Sequence, residues 1–577
     1  MPQIVNPSLL LGYSDGRPSG IIVSPDRWLE PRQDRYGGNV ELKQLAAVVA
    51  AFSLTSGAAL AASHKSGHAG KAAEAGAGPA GIFTPRSVKS TGTVTVEGHR
   101  IAYEAVAGTI IVHPKGWDDA AKPQGTKDQI GTASGPPVAS MFYVAYFERG
   151  VDPRTRPVTF LYNGGPGSST IWLHMGAFGP QRVVTKNDTH TPPAPYRIVN
   201  NAYSLLDASD LVFIDAPGTG YSRIEGKGKD KAFYGVDPDA HAFSSFIMQF
   251  LSKYGRWNSP KYLLGESYGT PRSAVLINDL ETKDDIDFNG VMLLSQILNF
   301  DLSADDPQYN PGVELPYELE LPTFAATAWF HHKLPSQPAD LESFLQQVEQ
   351  FAMGPYAQAL AAGSTLPKDQ FDAIAAQLHA YSGLPLSYIE RADLRVSGLE
   401  FEHELQNGSD LTTGRLDTRF SGPSMDPLDR EAQYDPQSAA ISSAYVSAFN
   451  DYAQRDLHYR TDEAYLPEIN IPDWQFWHQT PGTSSPQQLT TNVMPDLASA
   501  MKYDPLLKIS LNGGYFDLAT PFYEGIYEMH HLPMPNRLQA NIEYHYYQSG
   551  HMIYANEQAL KQLHDNLAAF IRRTDNQ

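Results

Sequence analysis

Short apolar runs alternate with helix-period segments along most of this 577-residue chain. That alternation limits the fold more than any other feature. Residues 158–162, 211–214, 261–265 and 289–294 are apolar or β-branched runs of strand length. Between the second and third, residues 239–254 bring Phe243, Phe246, Ile247, Phe250 and Leu251 onto one helical face. After the third, Ala274, Val275, Ile277 and Leu280 repeat that spacing. Continuous apolar strands are those buried on both faces, so the pattern predicts an α/β fold: a mostly parallel central sheet flanked by helices. Two late strands, 508–511 and 542–547, and an amphipathic helix over 557–573 extend it. Residues 93–147 hold β-rich segments around the short turn Glu97-Gly98-His99 and read as an antiparallel meander. From about 300 to 497 the alternation stops. Helical stretches at 341–351, 368–380 and 438–453, separated by polar and proline-containing loops, read as a helical insertion, or cap.

Composition removes several chemistries. There is no cysteine, which excludes a thiol nucleophile, a disulfide scaffold and thiolate-bound zinc or iron–sulfur clusters. Acidic residues outnumber basic ones 64 to 43, giving a net charge of −21, which argues against a nucleic-acid partner. Residues 45–62 form the longest apolar run. They are alanine-rich, come after Lys43 and end at Ala59-Leu60-Ala61, the small-residue pattern of a secretory signal. The domain reading is therefore an N-terminal extension with a signal-like segment at 1–62, a flexible linker at 63–90 and a catalytic domain at 91–577. The true start is expected near Val40, the mature protein is expected to be exported, periplasmic or secreted, and no stable membrane partner is expected after signal removal.

Gly265-Glu266-Ser267-Tyr268-Gly269 matches G-x-S-x-G, with an apolar strand before it and a helix after it. Glycines on both sides permit the tight turn that exposes a serine Oγ. A serine nucleophile needs a base, and the base an orienting carboxylate. Asp517, in Gly513-Gly514-Tyr515-Phe516-Asp517, and His551, in Ser549-Gly550-His551-Met552, each come just after a late strand. Strand ends are where open α/β sheets place their sites. Asp504 is the next candidate acid. Asn163-Gly164-Gly165-Pro166-Gly167-Ser168-Ser169, after another strand, is suited to bring backbone N–H groups close to a substrate. No phosphate-loop or dinucleotide fingerprint is present, and no cofactor is expected. His331-His332 and His530-His531 lack carboxylate partners at metal-binding spacing, so no metal is assigned. Trp474, Phe476 and Trp477 read as core of the insertion rather than as cleft lining.

These blocks, together with Gly179-Pro180 and Asp215-Ala216-Pro217-Gly218-Thr219-Gly220-Tyr221-Ser222, resemble the serine carboxypeptidase family, in an exported bacterial form. The resemblance implies an α/β-hydrolase fold with a helical insertion and a peptide substrate. It implies Ser267 as nucleophile, His551 as base and then acid, and Asp517 as its orienter. It implies the Gly165 and Tyr268 N–H groups as oxyanion hole, and Asn163, Gly164 and Glu266 as readers of the substrate's C-terminal carboxylate. Such a glutamate must be protonated to face a carboxylate. Three positions depart from the pattern. Leu161 stands where the family usually has tryptophan, Ala177 where it commonly has a second glutamate, and Ser168 where it often has cysteine. The expected activity is a serine carboxypeptidase. The alternatives are an acyltransferase or esterase using the same triad, or a secreted binding protein with a silent triad.

Overall fold

The computed structural model describes residues 82–117, 130–305, 307–483 and 490–576. The signal-like segment, the start near Val40 and linker residues 63–81 lie outside the described residues. Within them, no helix is long and apolar enough to cross a membrane.

In chain order the strands are β1 (Ser87–Val96), β2 (His99–Val112), β3 (Val138–Glu148), β4 (Val158–Tyr162), the short pair β5 (Gln181–Val183) and β6 (Ile198–Asn200), β7 (Asp210–Ile214), β8 (Arg223–Glu225), β9 (Lys261–Glu266), β10 (Gly290–Leu294), the hairpin β11 (Leu411–Thr413) and β12 (Ser421–Pro423), β13 (Lys508–Gly514) and β14 (Ile542–Tyr547). Ten of them share one sheet in the order β1-β2-β3-β7-β4-β9-β10-β13-β14, with β8 paired to β3. The first three strands form the antiparallel meander, and β3 meets β7 antiparallel. From β7 to β14 every pairing is parallel. β1 begins at Ser87, four residues before the expected domain boundary at 91.

The central strands are buried along their whole length, and alternate residues feed opposite cores. Leu161, Tyr262, Leu264, Met292 and Leu294 enter one core with the Glu557–Thr574 and Pro436–Arg455 helices. Phe160, Tyr162, Leu263, Val291 and Leu293 enter the other, with the Val236–Tyr254 and Gly269–Thr282 helices. This two-sided burial is why these strands carry no polar alternation. The Met494–Tyr503 helix also packs into the second core, so the layered sheet domain resumes before residue 497.

The insertion has its own core. The Leu315–Phe330 helix packs against the Leu341–Phe351 and Lys368–Ser382 helices, with Phe516, Leu518 and Phe522 closing it from the sheet side. Periodicity did not reveal the first of these helices, which carries Pro322 in its interior and is buried nearly all round. The insertion is also not purely helical. It includes the β11–β12 hairpin and an irregular strap that crosses the end of the sheet around residues 466–478.

Glu281 is buried at the end of the Gly269–Thr282 helix. Burial, then Asp504 and Asp287, push its carboxyl up to about 9. An unfolded carboxyl ionises near its ordinary value, so this group penalises the folded state increasingly from about pH 5 to about pH 9. Thermal melts across that range are expected to show the midpoint falling with pH in the native protein, and falling less steeply in Glu281→Gln.

Candidate active site

The residues singled out by sequence meet at the C-terminal edge of the parallel strands. β9 ends at Glu266, and Ser267 stands on the turn into the next helix with φ +59°, a strained conformation for a non-glycine residue. Flanking glycine is required there: a Cβ on Gly265 would fall 2.2 Å from the Gly269 carbonyl oxygen. The Ser267 N–H donates to the Leu294 carbonyl at the end of β10 (3.0 Å). Next to it, Ser295 N–H donates to Asn512 of β13 (2.8 Å), and Ser295 Oγ donates to the His551 carbonyl (2.7 Å). The ends of β9, β10 and β13 and the loop after β14 are thereby tied side by side.

Asp517 and His551 are a buried pair. Asp517 Oδ1 accepts the N–H groups of Ala519 (2.9 Å) and Thr520 (3.0 Å). Its Oδ2 accepts Thr520 Oγ (2.7 Å) and lies 2.8 Å from His551 Nδ1. An acceptor-only carboxylate requires the proton on Nδ1, which leaves Nε2 with a free lone pair. Burial lowers the proton affinity of His551. The charge and hydrogen bond of Asp517, then the charge of Glu266, outweigh it and raise the imidazole, while Arg415 pulls the other way. Thr520 was not anticipated; only a hydroxyl three residues past the acid could have signalled it. Asp504 caps the Met494–Tyr503 helix ahead of β13, at the opposite end of that strand from Asp517.

The glycine loop after β4 lies against the serine turn. A Cβ on Gly164 would fall 2.3 Å from the Tyr268 nitrogen and 2.8 Å from the Glu266 carbonyl oxygen. Gly165 comes next, with φ +103°, and is exposed. No backbone hydrogen bond among the described residues takes up the N–H of Gly165 or of Tyr268. The Gly164 contact therefore sets two donors beside Ser267.

On the other side of the serine, Glu266 is buried. Its Oε1 accepts Asn163 Nδ2 (2.9 Å) and the Tyr554 hydroxyl (3.1 Å), and its Oε2 has no hydrogen-bond partner. Burial lifts this carboxyl to about 7, with His551, Tyr554 and Asn163 drawing it down and Asp517 pushing it up. Asn163 Oδ1 accepts the Leu173 N–H (3.1 Å), which fixes its amide. Ala177 and Leu161 are buried apolar residues. The second partner of Glu266, Tyr554, lies three residues beyond His551 and was not anticipated.

The strap from the insertion crosses this edge. Ser169 N–H donates to Pro467 and Ile469 N–H to Gly167. His478 sits between Asp237 (2.6 Å) and Asp496 (2.8 Å); burial works against its charge, but the two carboxylates raise it to about 9. Trp474 stands edge-on to Tyr268 at 5.2 Å, and Phe476 packs on Phe300 at 5.5 Å. This corrects the expectation that Trp474, Phe476 and Trp477 are core of the insertion. Trp474 is half-buried beside the serine turn, Phe476 is half-buried against Phe300, and Trp477 is 40% exposed. His331 Nε2 lies 2.6 Å from the Thr418 carbonyl, and His530 packs on Tyr544.

Sequence comparison bears on this arrangement. The sequence profile of the serine carboxypeptidase family matches residues 132–310. Serine carboxypeptidase-like 36 of Arabidopsis thaliana is 27% identical over 177 residues, covering 29% of this chain and 34% of that protein. Serine carboxypeptidase S10 family member 1 of Dictyostelium discoideum is 30% identical over 141 residues, covering 22% and 29%. The chain thus spans about a third of the length of these curated relatives. The structure of Kex1(delta)p, a carboxypeptidase from Saccharomyces cerevisiae, aligns with a TM-score of 0.47 at 14% identity, covering 82% of this chain and 91% of that one. The stretch that holds the glycine loop, Glu266 and Ser267 is similar in sequence to serine carboxypeptidases, on a mostly parallel, helix-flanked sheet whose later strands bring in Asp517 and His551.

Proposed function

We propose that the protein is a serine carboxypeptidase. The observation that carries this reading is Glu266: a buried carboxyl held by Asn163 and Tyr554, next to the candidate nucleophile, with one oxygen lacking a partner. A carboxyl that titrates at about 7 is protonated in mildly acidic solution and can donate to a peptide's terminal carboxylate. That contact, with Asn163 and the Gly164 backbone, would seat the last peptide bond over Ser267. Ser267 Oγ attacks the carbonyl carbon as His551 Nε2 takes its proton, and the N–H groups of Gly165 and Tyr268 receive the oxyanion. The C–N bond breaks as His551 returns the proton to the leaving amine. Water then attacks the acyl-enzyme by the same route. Asp517 holds the imidazole tautomer throughout.

The test compares peptides with free and amidated C-termini. Hydrolysis of the free form alone supports the reading; equal rates on both defeat it and favour the esterase or acyltransferase alternative, to which Ala177 and Leu161 lean. A silent triad would give no fluorophosphonate labelling. The pH dependence comes from Glu266. For free peptides KM is expected to rise about tenfold per pH unit above about 7, as the carboxyl ionises and repels the substrate. In Glu266→Gln that rise disappears, because an amide donates at every pH. Steady-state kinetics from pH 5 to 9 measures both. We also propose that the protein is exported, with residues 45–62 as its signal; N-terminal sequencing of the native protein tests this, and a mature chain beginning before Val40 would sink it.

A further inference from the structure

The insertion reaches the acid–base pair at one loop. Between β11 and β12 the chain turns through residues 414–420 and lies against both catalytic loops. Leu518 N–H donates to the Arg415 carbonyl (3.1 Å), Thr418 N–H donates to the Phe516 carbonyl (2.9 Å), and His551 N–H donates to the Leu416 carbonyl (2.6 Å). Both chain neighbours of Asp517, and His551 itself, are therefore hydrogen-bonded to one short stretch of the cap. That stretch is itself fixed. Asp435 accepts the N–H groups of Arg415 (2.7 Å) and Leu416 (3.2 Å). Asp417 and Arg419 form a buried ion pair, and Arg419 Nη2 reaches Ser549 Oγ (3.3 Å), two residues before His551.

The Arg415 side chain turns to Asp305, which holds it through three contacts of 2.7 to 3.1 Å. Glu402 and Asp517 also face this guanidinium. The groups facing His551 are Asp517, Glu266 and Arg415. Asp517 is approached in addition by Glu524 of the Phe522–His530 helix, which adjoins Glu320, Glu528 and Asp305. Arg415 is the cation among these carboxylates that acts on the imidazole.

We propose that Arg415 is a positioning residue of the reaction: its loop holds the Asp517 and His551 loops in register, and Asp305 anchors its guanidinium as a cation facing that pair. The proposal rests on the reading of Ser267 and His551 as nucleophile and base. Deleting the charge leaves Asp305 uncompensated and increases the negative field at the ring, so His551 would stay protonated to higher pH. Neutralising Asp305 instead leaves Arg415 as an unbalanced cation and has the opposite sign.

The test is the second-order rate of fluorophosphonate labelling of the full chain between pH 4 and 9. The reagent has no carboxylate, so binding at Glu266 does not enter. Arg415→Gln is expected to move the midpoint of the rate–pH curve up by about one unit, the size of one partly screened charge nearby. Asp305→Asn is expected to move it down, and Arg415→Lys to leave it at the wild-type value. A lowered plateau with an unmoved midpoint in Arg415→Gln would reduce the residue to a packing role and overturn the proposal. If that variant does not fold, Asp305→Asn decides: a midpoint that stays or rises overturns it. Absence of labelling in the wild type overturns the underlying reading of Ser267, and this proposal with it.

Discussion

Asp517→Asn will lower kcat by about 10⁴-fold while the protein stays folded. The asparagine Oδ1 can keep the Ala519 and Thr520 N–H bonds that shape the loop. What changes is the face toward His551. A carboxylate there accepts the Nδ1 proton across 2.8 Å. An amide NH₂ in its place would donate, so the ring would carry its proton on Nε2. That tautomer cannot take the proton of Ser267. Ser267→Ala and His551→Ala are expected to cost about 10⁶-fold each, and the three losses will not add, because the groups act as a unit. Stopped-flow or long-time assays on a peptide with a free C-terminus measure the rates, and melting curves check folding. Ser267→Ala should also abolish fluorophosphonate labelling. Full activity in Asp517→Asn would mean that another carboxylate orients the imidazole, and Asp504 is too far along the strand direction to do so without a different fold.

Much of this site was legible in the sequence for one reason. Strands buried on both faces leave long apolar runs, and the chain emerges from each run at the open edge of the sheet. Gly164, Ser267, Asp517 and His551 each stand just past such a run, so their assembly at one edge comes from topology alone. The residues that tune them come from elsewhere in the chain. Tyr554 meets Glu266 from 288 positions away. Arg415 reaches the pair only because the cap folds back over the sheet. Trp474 lies on Tyr268 because His478, clamped by Asp237 and Asp496, pins the strap across the edge. None of these contacts leaves a periodic trace, since Tyr554, Arg415, Trp474 and His478 all lie outside the α-helices and β-strands. The Leu315–Phe330 helix was hidden for a different reason: burial all round removes the polar face that marks an amphipathic period, and Pro322 interrupts the rest.

The glycine loop offers the second strong test, because Gly164→Ala adds one methyl group where nothing can yield. Its Cβ would meet the Tyr268 nitrogen at 2.3 Å, and the Glu266 carbonyl oxygen and Gly269 nitrogen at 2.8 Å. All three are backbone atoms that flank Ser267. No rotamer change relieves the contact, so either the loop retreats or the turn does. Both movements separate the Gly165 N–H from the Tyr268 N–H, and two donors a fraction of an ångström too far apart no longer converge on one oxyanion. The expected loss in kcat is about 10²- to 10³-fold, the scale of removing a single oxyanion donor. KM for a free peptide should rise as well, since Asn163 and Glu266 flank the same contact. Gly354→Ala is the control: no atom lies within 4 Å of its added Cβ, and its activity should match the native protein. An active Gly164→Ala enzyme with native kcat would show that the oxyanion donors stand somewhere other than at this junction.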